Sequence, residues 1–359
     1  MRNFHAQMCN EENPVAVDGE QDVLRAAAMY YLQDIKMEVI ARHMNTSRST
    51  VSRLIKRARE TGLVEISLRP ASSRAPGLGQ KISTIFGIAT YVVPVPDSAE
   101  HVERLEQVAL TAAKLLTTWF DSDMVMGIAW GTTLAAVSRH LTHKPTRGSA
   151  VVQLNGAANT RTSGIEYASD LISSFGSAFD AAVHHFPVPA FFDFPETKAA
   201  MWRERSVRRV LDVQRRADIA LVSVGAVAGA VPSHVYAAGY LDDEDVRTLH
   251  SEGVVGDVCT VFLRADGSFR DVALNARATG PTPDELNRVP RRVCAVAGDN
   301  KVGPLLAALR SGVVTDLVVD ELTATRLLNI VSARDGAGRV TRKLRAPVRG
   351  RLGWPGDVQ

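Results

Sequence analysis

The sequence has no apolar run long enough to cross a membrane. A transmembrane helix needs about 20 consecutive apolar residues, and charged residues interrupt every long apolar stretch of this 359-residue chain. The first twenty residues also lack the basic segment followed by an apolar one that marks a secretory signal. We therefore expect a cytoplasmic protein with no membrane partner.

Cysteine is also scarce. Cys9, Cys259 and Cys294 lie far apart and form no CxxC pair. This spacing argues against a disulfide framework or a zinc-binding ribbon, and it predicts reduced thiols. His140 and His143 lie three residues apart, but no third ligand follows at a suitable spacing. We expect no metal site.

Positive charge is concentrated in two segments, one between Arg42 and Arg59 and a second basic run from Arg334 to Arg351. The net charge of the whole chain is only +3. Between Arg42 and Glu60, however, six lysine or arginine residues face the single acid Glu60. This distribution predicts a surface for nucleic acid in the N-terminal part of the chain.

Residues 33–68 have the pattern of a helix-turn-helix. Ala41 is small enough to let two helices touch, and Asn45 tolerates the left-handed turn between them. Val51 and Leu54 are expected to fill the angle between the helices. We predict helices at 20–32, 36–44 and from an N-cap at Ser47 to about residue 61, then a wing strand at 64–68.

The third of these helices is the candidate recognition helix for the DNA major groove. Arg48, Ser49, Ser52 and Arg53 are expected at base edges, whereas Lys56, Arg57 and Arg59 are expected at phosphates. The predicted DNA-binding residues are Arg48, Ser49, Thr50, Ser52, Arg53, Lys56 and Arg57.

Composition divides the chain into five segments. Residues 70–80 contain two prolines, two glycines and two serines, which is typical of a linker. The other predictions are a disordered tail at 1–18, a winged helix-turn-helix domain at 19–69, an effector-binding and oligomerisation domain at 81–332, and a basic flexible tail at 333–359.

The large C-terminal region alternates strands and helices, which predicts an α/β domain with a mostly parallel sheet covered on both faces. One helix is expected at 196–213, and a hairpin is expected at 258–274 around the turn 265–267. Ligands of such sheets lie beyond the carboxyl ends of the strands. Glycines, hydroxyls and a cation in those loops suit a phosphorylated sugar or polyol. The candidate effector-binding residues are Gly131, Thr132, Thr133, Gly156, Ala157, Gly225, Asp299 and Lys301.

Several motifs in this order resemble the SorC family of bacterial transcription regulators. They are GIAWGTTL at 127–134, VVQLNGA at 151–157, ALVSVGA at 220–226, GVVGDV at 253–258 and the segment 298–324, which begins GDNKVGPLL. The resemblance covers about 20–328. It implies a winged helix-turn-helix joined to a Rossmann-like sensor domain with the fold of glucosamine-6-phosphate deaminases and pentose-phosphate isomerases. It also implies a phosphorylated-sugar effector and a homodimer or homotetramer.

One position departs from the family pattern. In VCTVFLRADG, Arg264 occupies the place of an aspartate that in the family helps to hold sugar hydroxyls. A cation there would favour a second anionic group, so we also place Arg264 in the effector site and expect a bisphosphate or a sugar acid. The alternative is an exposed arginine in a rearranged loop.

These observations predict a DNA-binding regulator that represses a carbohydrate-use operon and whose operator binding is controlled by a phosphorylated sugar or related metabolite. An effector-dependent activator of the same build is an alternative, and a sugar-phosphate isomerase or deaminase is a more distant one. Asp299 could act as a base in such an enzyme, but no histidine stands at a matching position. The segment 225–229 lacks the full dinucleotide fingerprint. We therefore expect no catalytic residue and no cofactor.

Overall fold

The computed structural model describes residues 19–64, 75–96, 98–159, 165–227, 233–237 and 239–335. The chain forms two compact units that divide between Arg69 and Pro70. The predicted tail at 1–18, most of the wing strand at 64–68, the first half of the linker and most of the tail at 333–359 lie outside the described residues. In the part that is described, no helix is long and apolar enough to span a membrane.

The N-terminal unit contains the three predicted helices. They are α1 Glu20–Ala27, which continues as a π-helix over Ala28–Leu32, then α2 Met37–His43 and α3 Arg48–Glu60. Their apolar faces meet in a separate small core, in which Ile40, Val51 and Ala58 are fully buried. The core leaves one face of α3 in solvent, as the amphipathic pattern predicts.

In the described part of the C-terminal unit, ten strands form two sheets. The strands are β1 Ala89–Val93, β2 Val125–Ile128, β3 Ala150–Gln153, β4 Ala182–His184, β5 Ile219–Val222, β6 Val224–Ala226, β7 Val254–Val258, β8 Val261–Arg264, β9 Arg291–Val296 and β10 Asp316–Asp320. Seven form a sheet of order β1-β10-β9-β5-β2-β3-β4, and all of its pairs are parallel. The predicted parallel sheet is therefore confirmed. The strands β6, β7 and β8 form a second, antiparallel sheet.

Helices cover the sheet because both of its faces are apolar. All residues of β5 and β10 are buried, as expected for inner strands of a parallel sheet. The helices are α4 Ala75–Phe86, α5 His101–Trp119, α6 Thr132–Arg139, α7 Ile165–Phe179, α8 Pro195–Met201, α9 Arg205–Gln214, α10 His234–Ala237, α11 Asp243–Ser251, α12 Pro283–Leu286, α13 Val302–Ser311 and α14 Glu321–Asp335, with short 3₁₀ turns at Ala273–Ala276 and Asp299–Lys301.

The prediction of a linker at 70–80 is wrong in its second half, because α4 begins at Ala75. Proline is tolerated in the first turn of a helix, so Pro76 does not interrupt it. A Cβ atom added at Gly79 would lie 3.3 Å from the carbonyl oxygen of Thr90. Gly79 therefore allows α4 to pack closely on β1 and does not make the segment flexible. The helix α14 also extends to Asp335, two residues past the predicted start of the tail.

The prediction of a hairpin at 258–274 is also wrong. The hairpin lies earlier, between β7 and β8, and its turn is formed by Cys259 and Thr260, which have φ values of 51° and 68°. The buried carboxylate of Asp257 accepts a hydrogen bond from the Thr260 N–H at 3.1 Å and holds this turn. Non-glycine residues rarely adopt such angles, so the turn carried no sequence signal.

The helix predicted at 196–213 is two helices, α8 and α9. Glu204 has an extended conformation with ψ of 137° and forms the N-cap of α9. Just before it, the ring of Trp202 packs edge-on against Phe186 and Phe192. The chain bends here because Trp202 contributes to a small core beside the sheet.

Candidate functional site

The turn before α3 has the geometry that its sequence predicts. Asn45 adopts a left-handed conformation with φ of 50°. Ser47 is the N-cap of α3, and its hydroxyl accepts a hydrogen bond from the Thr50 N–H at 3.1 Å. Ala41, Val51 and Leu54 are buried between the helices. A cap and a small core thus fix the direction of α3.

One face of α3 is basic and exposed. The side chains that this face presents to solvent are those of Arg48, Ser49, Ser52, Arg53, Lys56 and Arg57. Thr50 is half-buried instead, and its hydroxyl accepts a hydrogen bond from Arg53 at 3.4 Å. Arg48 forms an ion pair with Glu38 of α2 at 3.0 Å. The structure therefore brings six predicted DNA-binding residues together, while Thr50 helps to orient Arg53.

A cavity of about 610 Å³ lies at the carboxyl edge of the parallel sheet. The loops that follow β2, β3, β5 and β9 contribute to its wall, as does the start of α5. Most of its polar wall is formed by His101, Arg104, Gly131, Thr132, Thr133, Asn155, Ser223, Gly225, Ser233, His234, Asp257, Thr260, Gly298, Asp299, Asn300 and Lys301.

The first turn of α6 faces this cavity. Gly131 precedes the helix with φ of 154°, and Thr132 and Thr133 are its first two residues. The first N–H groups of a helix have no partner within the helix and carry a partial positive charge. Together with two hydroxyls, they suit an anionic group such as a phosphate.

Lys301 adds a cation to the same cavity. Its ammonium donates hydrogen bonds to the Val224 carbonyl at 3.0 Å and to the Ser233 hydroxyl at 2.5 Å. Burial lowers the pKa of Lys301, while the nearby charge of Asp257 acts in the opposite direction. The side chain is thus held in place by neutral groups and stays available to pair with an anion.

Asp257 is the buried acid of the cavity. Its carboxylate accepts hydrogen bonds from the Tyr236 hydroxyl and from the Thr260 N–H, both at 3.1 Å. Burial raises the pKa of Asp257, although the hydrogen bond from Tyr236 and the charge of Lys301 oppose that shift. A Cβ atom at Gly225 would come within 1.8 Å of this carboxylate, so only glycine lets β6 approach it.

The cavity wall also contains a buried arginine. Arg104 of α5 is only 6% exposed. It donates hydrogen bonds to the carbonyls of Ala99 and Pro96 at 3.1 and 3.3 Å, and its guanidinium lies 3.8 Å from the Asp320 carboxylate. These contacts anchor the loop before α5 against the end of β10.

Residues 73–329 match the family described as "Putative sugar-binding domain", and residues 25–77 match a helix-turn-helix domain. The deoxyribonucleoside regulator of Bacillus subtilis is 31% identical over 86% of this chain and 98% of its own length. The chain belongs to the SorC family of sugar-binding transcription regulators. It is thus a regulator with a helix-turn-helix and a sugar-binding domain.

Other relatives of this SorC-family chain agree. The sorbitol operon regulator of Klebsiella pneumoniae is 24% identical over 85% of this chain and 97% of its own length. A domain of a "possible sugar-binding transcriptional regulator" from Arthrobacter aurescens TC1 superposes with a TM-score of 0.69 and 50% identity, covering 73% of this chain and all of its own. The full-length SorC structure from Klebsiella pneumoniae shares the fold, with a TM-score of 0.71, 23% identity and coverage of 87% and 99% of the two chains. These relatives are named regulators, not enzymes.

The structure does not place Arg264 at the cavity. The guanidinium lies at the far end of β8, where it donates hydrogen bonds to the Glu252 carbonyl and to the Asp271 carboxylate, both at 2.6 Å. These bonds tie the end of β8 to two neighbouring loops. The prediction that Arg264 binds the effector is therefore corrected, and its role here is structural.

Gly156 and Ala157 also do not line the cavity. A Cβ atom at Gly156 would lie 2.1 Å from the Pro189 carbonyl oxygen, so the glycine permits two backbones to pack. The carbonyl of Ala157 accepts a hydrogen bond from the Tyr240 hydroxyl at 3.0 Å. Of the predicted effector residues, those that line the cavity are Gly131, Thr132, Thr133, Gly225, Asp299 and Lys301.

The lining residues that the sequence interpretation missed include Asp257, Asn155, Arg104 and His101. Asp257 sits in the motif GVVGDV, and an acid within an apolar strand was a signal that could have been used. Asn155 directly precedes the predicted Gly156, and its buried side-chain oxygen has no hydrogen-bond partner among the described residues. Arg104 and His101 lie on α5, whose amphipathic sequence pattern carries no signal for ligand binding. They line the cavity because the fold brings the start of α5 to it.

Proposed function

We propose that this SorC-family regulator binds operator DNA through α3 in the cytoplasm, and that a phosphorylated sugar or sugar acid in the cavity controls that binding. The proposal includes a homodimer or homotetramer, since one recognition helix covers too few base pairs for adequate specificity. Release of DNA on effector binding, and hence repression, is the proposed direction of control.

One observation supports the phosphate above all. The ammonium of Lys301, bonded to Val224 and Ser233, lines the same cavity as the first turn of α6 with Thr132 and Thr133. A cation and a helix N-terminus at one site favour a doubly charged phosphate much more than a neutral sugar. The rest of the polar wall can hold hydroxyl groups.

The names of relatives narrow the choice of probes. They refer to deoxyribonucleosides, which contain the five-carbon sugar deoxyribose, and to the polyols sorbitol and erythritol. We therefore choose the phosphate esters of deoxyribose, sorbitol and erythritol as probes, with 6-phosphogluconate as the sugar acid.

The test measures thermal unfolding of the full chain with each phosphate ester and with its unphosphorylated counterpart. A ligand at about 100 times its Kd should stabilise the protein by about 2.7 kcal/mol. Lys301→Met should weaken binding by about 10- to 100-fold, as expected for loss of a charge-assisted hydrogen bond. Lys81→Met, on the exposed side of α4, is the matched control and should not weaken it.

The same probes are then added to a complex with an operator obtained by selection from random duplexes. Dissociation of the complex supports a repressor, and tightening supports the activator alternative. Phosphate esters that bind no better than free sugars, or equal affinity in Lys301→Met, would contradict the proposed effector class.

A further inference from the structure

The helix α9 carries a second basic face, in the C-terminal unit and far along the chain from α3. Arg205, Arg208 and Arg209 follow one another at helical spacing and are exposed. Val207 and Val210, on the other side of α9, are buried in the small core beside the sheet. The helix therefore packs through its valines and presents its arginines to solvent.

These arginines line a shallow, open groove. A groove of about 390 Å³ lies between α9 and β4, the edge strand of the parallel sheet. We call it the α9 groove. It is lined by His184, Arg205, Arg208, Arg209, Asp212, Val213 and Arg216.

Positive charge in the α9 groove is poorly balanced. Its single acid, Asp212, forms an ion pair with Arg215, which lies outside the lining. No ion pair joins Arg205, Arg208 or Arg209 to a carboxylate of the described residues. Burial lowers the pKa of His184, and the nearby charges of Arg209 and Arg216 lower it further. A concave site lined by one sign of charge concentrates its field and attracts counter-ions.

The neighbouring arginines of α9 destabilise the isolated helix. Arg205 repels Arg208 and Arg209, because like charges three or four residues apart on a helix destabilise it. All four cations of the groove are arginine, whose planar fork binds phosphate oxygens in pairs, whereas a solvated helix face can equally well use lysine. A local cost of this kind is typical of a functional surface.

We propose that the α9 groove is a second anion site, distinct from the cavity, and that it binds phosphate groups. Four guanidinium groups around one groove suit a ligand with several neighbouring phosphates. Such phosphates can come from a DNA backbone or from a small polyphosphate. The proposal does not depend on the identity of the effector.

The test compares two variants of the full chain with the same change in charge. The groove variant is Arg205→Gln/Arg208→Gln/Arg209→Gln. The control variant is Arg147→Gln/Arg270→Gln/Arg288→Gln, which removes three exposed arginines of the same unit outside the groove. Unfolding without ligand should be cooperative in both, since all six side chains lie on the surface.

Two probes distinguish the sources of phosphate. Inorganic tripolyphosphate represents a small ligand, and a random-sequence duplex represents DNA. We expect the groove variant to lose about 10-fold or more in affinity for at least one probe, and the control variant to lose about 2-fold or less, because groove charges act together and scattered ones are screened. If the duplex is the ligand, the logarithm of the association constant decreases with the logarithm of the salt concentration. The magnitude of this negative slope should become smaller by about 2–3 in the groove variant alone.

Each outcome has a defined meaning. If the groove variant loses affinity for tripolyphosphate alone, the groove binds a small polyphosphate. If it loses affinity for the duplex alone, the groove binds DNA. Either result supports a phosphate site. Equal behaviour of the two variants with both probes would overturn the proposal. A third variant, Arg205→Lys/Arg208→Lys/Arg209→Lys, keeps the positive charge. It should recover part of the affinity that the groove variant loses. A purely structural role for these arginines would not explain such a recovery.

Discussion

The surface of α3 and the cavity of the C-terminal unit are assembled in opposite ways. Six of the predicted DNA-binding side chains come from ten consecutive residues, and helical periodicity alone puts them on one face. The cavity wall comes from loops spread between Ala99 and Leu322. A surface set by local periodicity can be read from sequence, whereas a cavity set by strand order requires the fold.

The two units also differ in how much core supports them. Among its described residues 19–64 the N-terminal unit has ten buried apolar residues, whereas the C-terminal core includes both faces of a seven-stranded sheet. Small domains bury a smaller share of their surface and are only marginally stable. We expect single core substitutions to unfold the first unit and leave the second intact.

The largest expected effect is that of Leu54→Ala. Leu54 is 1% exposed in the core between α2 and α3, and truncating a buried leucine costs about 2–5 kcal/mol. That is enough to unfold the N-terminal unit and abolish DNA binding, while binding of sugar phosphate should persist. Two-step unfolding measured by circular dichroism, together with DNA titration, checks this.

Leu24→Ala is the control for that substitution. Leu24 lies on α1 in the same unit but is 54% exposed, so its loss should change stability by about 0.5 kcal/mol or less. If Leu54→Ala also removes effector binding, the two units do not fold independently, which would contradict the expected difference in their stability.

The next largest effect is expected at the cavity, from Gly298→Ala. Gly298 has φ of 107°, and an added Cβ atom would lie 2.6 Å from the His101 ring. Strained backbone of this kind costs about 1–3 kcal/mol. The loop before Lys301 should therefore shift, weakening effector binding while DNA affinity without effector is unchanged.

Gly303→Ala is the matched control, because nothing lies within 4 Å of its added Cβ atom. Gly303 is in the first turn of α13, where alanine should be neutral or stabilise the helix by about 0.5–1 kcal/mol. Equal effects of the two substitutions on sugar-phosphate titration would contradict the role given to Gly298.

Much of the fold could be predicted from periodicity and turn residues. The helices of the first unit lie within a few residues of their predicted positions, and the predicted parallel sheet is present. The hairpin was misplaced because its turn uses Cys259 and Thr260, residues that rarely adopt positive φ. The linker was overextended because Gly79 serves close packing on β1, which composition alone does not distinguish from flexibility.

The candidate cavity was only partly predictable. Glycine loops after strands indicated Gly131, Gly225 and Lys301, because the carboxyl ends of parallel strands meet at one edge. The same rule was misleading at Gly156, where the glycine packs against another backbone. Arg264 was misplaced because it was assigned from the family pattern, whereas in this chain its guanidinium is bonded to Glu252 and Asp271 outside the cavity.

On α3, Arg53 and Lys56 are expected to contribute to DNA binding in different ways. Arg53→Ala should cost about 1–3 kcal/mol and relax the choice of sequence, since a bidentate base contact is lost. Lys56→Ala should weaken all DNA more evenly and lower the salt slope by about 1. Titration of operator and random duplexes at several salt concentrations separates the two. Identical profiles for both variants would contradict the proposed orientation of α3.

The smallest effect, that of Ser47→Ala, separates the support of α3 from its function in DNA binding. Ser47 caps α3 by accepting a hydrogen bond from the Thr50 N–H, and loss of an N-cap costs about 0.5–2 kcal/mol. Ser52 lies one turn further on the exposed face, where alanine favours the helix. Ser47→Ala should therefore lower the free energy of unfolding of the N-terminal unit by about 0.5–2 kcal/mol and weaken DNA binding by no more than this. Ser52→Ala should keep the stability and change the sequence preference. If Ser47→Ala changes sequence preference while stability is unaffected, Ser47 contacts DNA and does not act as a cap.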